Sequence, residues 1–361
     1  MPCMGGLELD ADAERVATGS PAERAADDAA PSWRSLAIVT GTAVVFLGIA
    51  LLRSQDLGVD MRDPGGALFS MRLLKALEMF AILAVVDLAW RTWQGRGAGV
   101  REALVANLRS RLAVSRLTLI LLAELAYHVV YVSYRNLKSW LAFDTPQDDH
   151  LLSLDRWLFF GHDPAALLHS LLGTGVSAVI LVAVYRAFTY VTAFSLQASL
   201  AFVTRLRDSY VFVTAGMWAW ILAIISYYAI PTLGPFASSP QTFASLPDSA
   251  ITTTQAKYLE QRAAFLANPY DHSTFVSIAA FASLHVGFTC LVMLMARYYG
   301  RRVLTIVLGV YLAAVMVATV YLGWHFAIDV VAGLVLGALS VAIGHVTIYG
   351  LHRRTPGRGP L

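Results

Sequence analysis

Two short polar segments interrupt long apolar stretches of the chain and hold the residues best suited to chemistry. The first is Ser283-Leu284-His285, and the second runs from His325 to Asp329. At a four-residue spacing His325 and Asp329 share one helix face, where the carboxylate can accept Nδ1–H and leave Nε2 free for nucleophilic attack. His285 is a candidate acid for a leaving oxygen, and Ser283 with the adjoining helix N-terminus offers donors to a phosphate. These residues favour phosphoryl transfer, and we expect no cofactor and no metal.

Other interpretations of the polar residues stay open at this stage. A histidine in an apolar helix is usually a packed or interfacial residue, and we interpret His128, His169 and His345 in that way. A carboxylate within a membrane span costs about 2.5–3.5 kcal/mol on insertion scales, which makes Asp329 a functional candidate by default. The chemical alternative is a metal site, for which the sequence offers four ligands: Asp271, His272, His285 and His325.

The elements that must position these residues are membrane helices. Of the 361 residues, 57% are apolar and only 14% are charged, with a mean hydropathy of +0.60. Soluble domains carry about 25% charged residues, so a soluble globular enzyme is excluded. In lipid each backbone polar group must be satisfied within its own segment, which predicts an all-α, polytopic integral membrane protein. The net charge of +3 argues against a nucleic-acid partner, and two cysteines, Cys3 and Cys290, predict no disulfide framework.

Hydropathy predicts eight spans and an interfacial segment at 164–172. Arginines concentrate between the second and third spans and at the C-terminal end, so both termini should be cytoplasmic and the loops 135–163 and 231–282 outside. Both polar segments then lie at the outer interface, which predicts a site on the extracytoplasmic face of the cytoplasmic membrane. The predicted spans are 35–52, 73–93, 114–134, 174–204, 209–230, 284–299, 303–322 and 326–350.

The same pattern divides the chain into four parts. Residues 1–34 are rich in alanine and charge and predict a disordered cytoplasmic tail. Residues 35–113 hold two additional N-terminal helices and a basic cytoplasmic loop. Residues 114–350 form the predicted membrane-embedded catalytic domain, and 351–361 a basic cytoplasmic tail.

The polar segments also carry a resemblance. Ser283-Leu284-His285, followed by His325 to Asp329 after Tyr321-Leu322-Gly323-Trp324, resembles the second and third motifs of the type 2 phosphatidic acid phosphatase superfamily. The segments 154–161 and 228–235 resemble its inositol phosphorylceramide synthase branch. The resemblance implies a six-helix phosphatase-like core. It further implies that His325 forms a phosphohistidine, Asp329 orients it and His285 acts as the acid.

Two departures from the phosphatase pattern concern positive charge. The first motif, Lys-x6-Arg-Pro, is absent, and Ala318-Thr319 stands where the phosphatases have Ser-Arg. A phosphodiester carries one negative charge and a monoester up to two, so fewer cations favour a diester donor. Replacement cations are Arg135, Lys138 and Arg186. The alternative is interfacial snorkelling for Arg135 and Lys138, and a buried ion pair for Arg186.

The sequence therefore predicts a membrane lipid phosphotransferase. It would cleave a phospholipid or polyprenyl phosphate ester drawn from the bilayer and pass the phosphoryl-headgroup to a small or lipid alcohol. The alternative enzyme is a lipid phosphatase that uses water. A transporter or scaffold is the rival class, but we find no paired broken helices in two repeated halves, which a transporter would show.

Overall fold

The computed structural model describes residues 31–272 and 275–350. The predicted C-terminal tail, and the predicted N-terminal tail except for its last four residues, lie outside the described residues. The described part is all-helical and contains no strand. This agrees with the predicted fold class.

The helices follow the apolar segments closely. The predicted interfacial segment is a helix with the predicted bounds, 164–172, and the long segment 174–204 forms one continuous helix. In chain order the helices are α1 Trp33–Leu57, α2 Ala67–Gln94, α3 Val100–Arg111, α4 Val114–Trp140, α5 Asp148–Leu158, α6 Pro164–Leu172, α7 Val176–Phe202, α8 Leu206–Ala229, α9 Pro235–Ser238, α10 Pro240–Phe243, α11 Ala250–Ala267, α12 Leu284–Tyr298, α13 Arg302–Tyr321 and α14 Ala327–Tyr349.

Six of these helices are long and apolar enough to cross a membrane: α1, α4, α7, α8, α13 and α14. The chain is thus an integral membrane protein by the length and composition of its helices. The predicted count of eight spans is not confirmed. The helix α12 has only 15 residues, and α2 carries five charged residues: Arg72, Lys75, Glu78, Asp87 and Arg91.

A close helix contact brings α12 and α14 together. At Gly333 an added Cβ would lie 2.5 Å from the carbonyl oxygen of Ser283, and at Gly337 it would collide with that of Gly287. Only glycine allows two helix backbones to approach so closely. The Ser283 amide also donates to the carbonyl of Asp329 at 3.1 Å. The two polar segments, 40 residues apart in sequence, are therefore fixed to each other by backbone contacts.

The N-terminal hairpin of α1 and α2 packs into the same bundle, α1 against α4 and α2 against α4 and α7. Its loop holds Arg62, which is 1% exposed. The Arg62 amide donates to Asn136 Oδ1 at 2.7 Å, and its guanidinium donates to the carbonyls of Pro269 and Asp271. The hairpin thereby fastens the loop after α11 to the end of α4.

Candidate active site

His325 lies in the tight turn between α13 and α14. The amides of Trp324 and His325 both donate to the carbonyl of Thr319, at 3.1 and 3.2 Å. Gly323 supplies the positive φ of 75° that this turn needs. Thr319 stands where the phosphatase pattern has arginine. Here its carbonyl, at the end of α13, holds the histidine in place, and its own side chain is fully buried.

Asp329 is placed to orient the His325 ring. One carboxylate oxygen, Oδ2, accepts from the Phe326 amide at 3.0 Å and lies 3.3 Å from His325 Nδ1. Both side chains are buried, with 5% of His325 and none of Asp329 exposed. A carboxylate at Nδ1 fixes the hydrogen there and leaves Nε2 with its lone pair. The predicted His–Asp arrangement is therefore sterically in place.

His285 faces the same space from the first turn of α12. Its ring centroid lies 6.3 Å from that of His325, with no hydrogen bond between the two rings. The ring is enclosed by Tyr185 and Phe188 of α7, each with a centroid 4.1 Å away. The gap between the two histidines can therefore hold a group placed between a nucleophile and an acid.

That gap belongs to a cavity of about 460 Å³. The volume is within the usual range for small-molecule sites. Its wall contains both histidines together with many aromatic side chains, which are Tyr131, Tyr134, Tyr185, Phe188, Tyr190, Trp220, Tyr227, Tyr258 and Trp324.

All three predicted replacement cations line this cavity. Lys138 Nζ lies 5.1 Å from the ring centroid of Tyr227. Arg135 donates to Ser277 Oγ at 3.0 Å, and Arg186 is exposed on α7. Among the described residues, none of the three cations has a carboxylate within 4.0 Å. Their charge is thus available to an anion in the cavity.

Ser283, predicted to bind phosphate, is not part of the cavity wall. Its side chain is fully buried, and its Oγ accepts from the amide of Val286 at 3.4 Å as the N-cap of α12. In the structure the Ser283 hydroxyl therefore caps α12 and does not face the cavity.

Asp155 on α5 lies next to the candidate site, although the residue spacing in the sequence did not predict this position. Its carboxylate accepts from the amides of Ala327 and Ile328, at 2.6 and 3.0 Å, and so caps the N-terminus of α14 just after His325. Burial raises the pKa of Asp155 to about 6, although the two amide donors favour the ionised form. In sequence Asp155 belonged only to the segment 154–161 quoted for the resemblance, and nothing in its spacing relates it to α14.

Seven residues earlier, Asp148 makes an equivalent contact to the loop after α8. Its carboxylate accepts from the amides of Leu233 and Gly234, and burial raises its pKa. Gly234 has a φ of 108°, and a Cβ there would lie 2.6 Å from the carbonyl of Trp324. The two acids of α5 therefore clamp this loop against the turn that carries His325.

The long loop 231–282 contributes α11, which closes one side of the cavity. Thr254 and Tyr258 of α11 line the wall, and Tyr258 packs its ring 5.7 Å from that of Trp324. Gln255 donates to the carbonyl of Leu322 at 2.8 Å. The helix is thus fastened beside the turn that carries His325.

The alternative metal site is not assembled. Within 31–272 and 275–350, no group of three or more His, Cys, Asp or Glu side chains could hold an ion. His272 Nε2 lies 3.9 Å from a carboxylate oxygen of Asp60.

A family model described as PAP2 superfamily matches residues 149–343. No curated protein and no solved structure matches the chain significantly. The matched range contains both histidines, Asp329 and Asp155. It begins after α4, which carries Arg135 and Lys138.

Proposed function

The chain belongs to the PAP2 superfamily, and from this premise we propose that it is a membrane lipid phosphotransferase of the inositol phosphorylceramide synthase-like branch. The family suggests phosphatase-type chemistry on lipid phosphoesters, and the proposal adds an alcohol as the acceptor. The observation that carries it is the joint lining of one cavity by His285, His325 and three cations, none of which has a carboxylate within 4.0 Å in the described part of the chain.

In the first half-reaction, His325 Nε2 attacks the phosphorus of the lipid donor. The bond between phosphorus and the lipid oxygen breaks, and its electron pair stays on that oxygen. Protonated His285 gives a proton to this oxygen, so a neutral lipid alcohol leaves. Asp329 stabilises the positive charge that forms on the His325 ring. The product is a phosphohistidine that keeps the headgroup.

In the second half-reaction, the acceptor hydroxyl attacks phosphorus and the bond to His325 Nε2 breaks. His285, now neutral, takes the proton of the hydroxyl and is ready for the next cycle. Water and an alcohol can both resolve the intermediate. A cavity wall that binds the acceptor and excludes water decides between them.

The arrangement of charge supports a diester donor. The family's first-motif cations and the arginine before the last histidine are missing, while Lys138, Arg135 and Arg186 approach from α4 and α7. One negative charge on a diester needs less compensation than two on a monoester. Aromatic rings around Lys138 leave it a compact positive site for a single anionic oxygen.

The test is an assay of the purified protein in lipid nanodiscs. Phosphatidic acid, headgroup-labelled phospholipids and a polyprenyl phosphate are each supplied with and without candidate alcohols. We expect the labelled headgroup phosphate to appear on an alcohol, and only when an alcohol is present. Release of free phosphate at one rate under all conditions would show a lipid phosphatase and overturn the transfer step.

The lipid phosphatase is the second candidate function, because the family match itself favours phosphatase-type chemistry. It uses the same first half-reaction with water as the acceptor. Phosphatidic acid and the polyprenyl phosphate are its diagnostic substrates, since both are monoesters. A strong preference for them over phospholipids would favour this candidate.

We also propose eight spans in the cytoplasmic membrane, with the cavity on the extracytoplasmic face. The basic ends of α2, α3 and α4 gather at one end of the bundle, where Arg91 and Arg111 pair with Asp87 and Arg116 binds carbonyls at the end of α7. Such clusters are typical of the cytoplasmic side. The cavity lies toward the other end.

Cysteine labelling tests this topology. In a Cys3→Ala background, Ser245→Cys in the outer loop and Ser110→Cys on α3 are each exposed positions. An impermeant maleimide added to intact cells should modify position 245 and not 110. The opposite pattern would invert the topology.

A further inference from the structure

The two histidines of the cavity are held by different kinds of partner. His325 has the carboxylate of Asp329 at Nδ1. Among the described residues, no carboxylate lies within 4.0 Å of His285. Instead its Nδ1 lies 3.4 Å from the phenolic oxygen of Tyr185.

Tyr185 is itself rigidly placed. Its ring stacks on His285 with an interplanar angle of 20°, and on Trp324 with an angle of 7° and centroids 5.7 Å apart. Only 8% of Tyr185 is exposed. Because Trp324 directly precedes His325, one aromatic stack spans the distance between the two histidines. The phenol therefore cannot rotate away from His285 without disrupting both segments.

We propose that Tyr185 is a positioning residue that holds His285 through Nδ1 for proton donation at Nε2. The inference rests on the proposed phosphohistidine chemistry. A phenol both donates and accepts hydrogen bonds, whereas a carboxylate only accepts. A carboxylate would make the ring hold its proton more tightly, which suits a nucleophile oriented at Nδ1 but hinders an acid.

The phenol can serve both protonation states of His285. Before bond cleavage, the imidazolium donates Nδ1–H to the Tyr185 oxygen and carries its transferable proton on Nε2. After that proton has passed to the leaving lipid oxygen, the ring would lack a hydrogen on Nε2 and keep the one on Nδ1, still donated to Tyr185. When Nε2 takes the acceptor's proton in the second half-reaction, the starting state returns. Throughout the cycle Nδ1–H stays on Tyr185, and only Nε2 exchanges a proton.

The test uses the leaving group, since a good leaving group needs no acid. Two phosphodiesters with the same headgroup are compared, one with a long-chain alkyl leaving group and one with a nitrophenyl leaving group. The measured quantity is the rate of the first turnover, which reports cleavage before the acceptor step. For Tyr185→Phe, which keeps the ring and removes the hydroxyl, we expect a loss of about 10–100-fold on the alkyl ester. On the nitrophenyl ester the loss should be under about threefold.

Tyr311→Phe is the matched control. The Tyr311 hydroxyl donates to the carbonyl of Val184 at 3.0 Å, next to Tyr185 in the chain, and Tyr311 does not line the cavity. Both variants lose one hydroxyl contact on α7, but only Tyr185→Phe should slow cleavage of the alkyl ester more than cleavage of the nitrophenyl ester. For His285→Ala we expect a difference between the two cleavage rates that is at least as large.

The outcomes distinguish this proposal from the proposed function. If the wild type cleaves both esters and Tyr185→Phe slows both equally or neither, the positioning role is wrong and the phosphohistidine chemistry stands. If the wild type cleaves neither ester, the proposed function fails and the positioning role fails with it. A reduced binding affinity with an unchanged rate at saturation would also overturn the positioning role.

Discussion

Two histidine–carboxylate pairs with a four-residue spacing lie in the described part of this bundle, and they differ in almost everything except geometry. In His325–Asp329 and in His128–Glu124 the ring Nδ1 is 3.3 Å from a carboxylate oxygen. All four residues are at most 5% exposed. Spacing, distance and burial therefore do not distinguish the candidate active-site pair from a structural one.

The difference lies in what surrounds each pair. His128 Nδ1 is already bonded at 2.8 Å to the backbone carbonyl of Glu124, and the Glu124 carboxylate accepts from Gln197 on α7. Neither His128 nor Glu124 lines the cavity. This pair ties α4 to α7. The His325 ring reaches the cavity because His325 precedes its helix and Asp329 lies inside it. A pair becomes a candidate site when a second histidine and an anion-binding wall face it.

The largest expected effect on turnover comes from His325, the proposed nucleophile. His325→Ala should lower transfer by at least about 10³-fold, because no phosphohistidine can form. His128→Ala should leave turnover per folded molecule within about threefold. Both variants are compared by product formation after size-exclusion chromatography confirms folding. Equal losses would mean that the two pairs do not differ in function.

The carboxylates give the next effect. Asp329→Asn should lose about 10²-fold in turnover, since the amide no longer stabilises the charged ring and can set the wrong tautomer. Glu124→Gln keeps an oxygen for Gln197 and should leave turnover unchanged. The measurement is the steady-state kcat of both variants. A Glu124→Gln loss as large as that of Asp329→Asn would contradict the structural role of the second pair.

The next effect concerns Lys138 in the cavity wall, which we propose binds the donor phosphate. Lys138→Met should lower kcat/KM by about 10–100-fold, mainly through KM, because a positive charge facing the donor phosphate is lost. Lys75→Met, on α2 and outside the cavity lining, is the control with the same charge change. Initial rates over a series of donor concentrations separate KM from kcat. An unchanged KM would favour the alternative interpretation, in which Lys138 is an interfacial residue that snorkels.

The cap of α14 should give a smaller effect. Asp155→Ala removes the acceptor of the Ala327 and Ile328 amides, so the turn with His325 loosens and kcat should fall by about tenfold. Asp163→Ala removes the same kind of cap from α6, where Asp163 accepts from the amides of Ala165 and Ala166. Each cap is worth about 1 kcal/mol in stability.

Thermal unfolding and turnover, measured on both cap variants, separate the two contributions. We expect similar losses of stability and a loss of turnover only for Asp155→Ala. If turnover falls equally in the two variants, the effect is one of stability and Asp155 does not position His325.

Glu124→Ala should affect stability more than turnover. Removing the carboxylate leaves the buried side-chain amide of Gln197 without its acceptor, at a cost of about 1–3 kcal/mol in stability. Turnover per folded molecule should stay within about twofold. Thermal unfolding in detergent and an assay of the folded fraction measure the two quantities. Unchanged stability would show that this pair does not hold α4 and α7 together.

Much of the local structure was predictable from the chain. The helix at 284–298 was expected with these bounds to within one residue, since apolar runs must form helices in lipid. The segment 164–172 was expected at the interface, and it forms a helix with the same bounds. The pairing of His325 with Asp329 followed from their spacing. Gly333 and Gly337 lie where α14 touches α12. In contrast, α3, α5 and α11 were not predicted, because they are polar or amphipathic and carry no long apolar run.

What the sequence determined by itself is therefore the membrane character, the helical class, the local His–Asp pair and the family motifs. Each depends on residues within one helix or one turn, where periodicity fixes the geometry. The tertiary structure decided that Lys138 faces the histidines, that Asp155 caps α14 and that Tyr185 stacks on His285. Each of these contacts joins residues at least 100 positions apart in the sequence. In addition, Asp155 and Lys138 lie on helices whose sequences share no pattern with that of α14. Such contacts depend on how whole helices pack against one another, and the residue spacing within a single segment does not determine that packing.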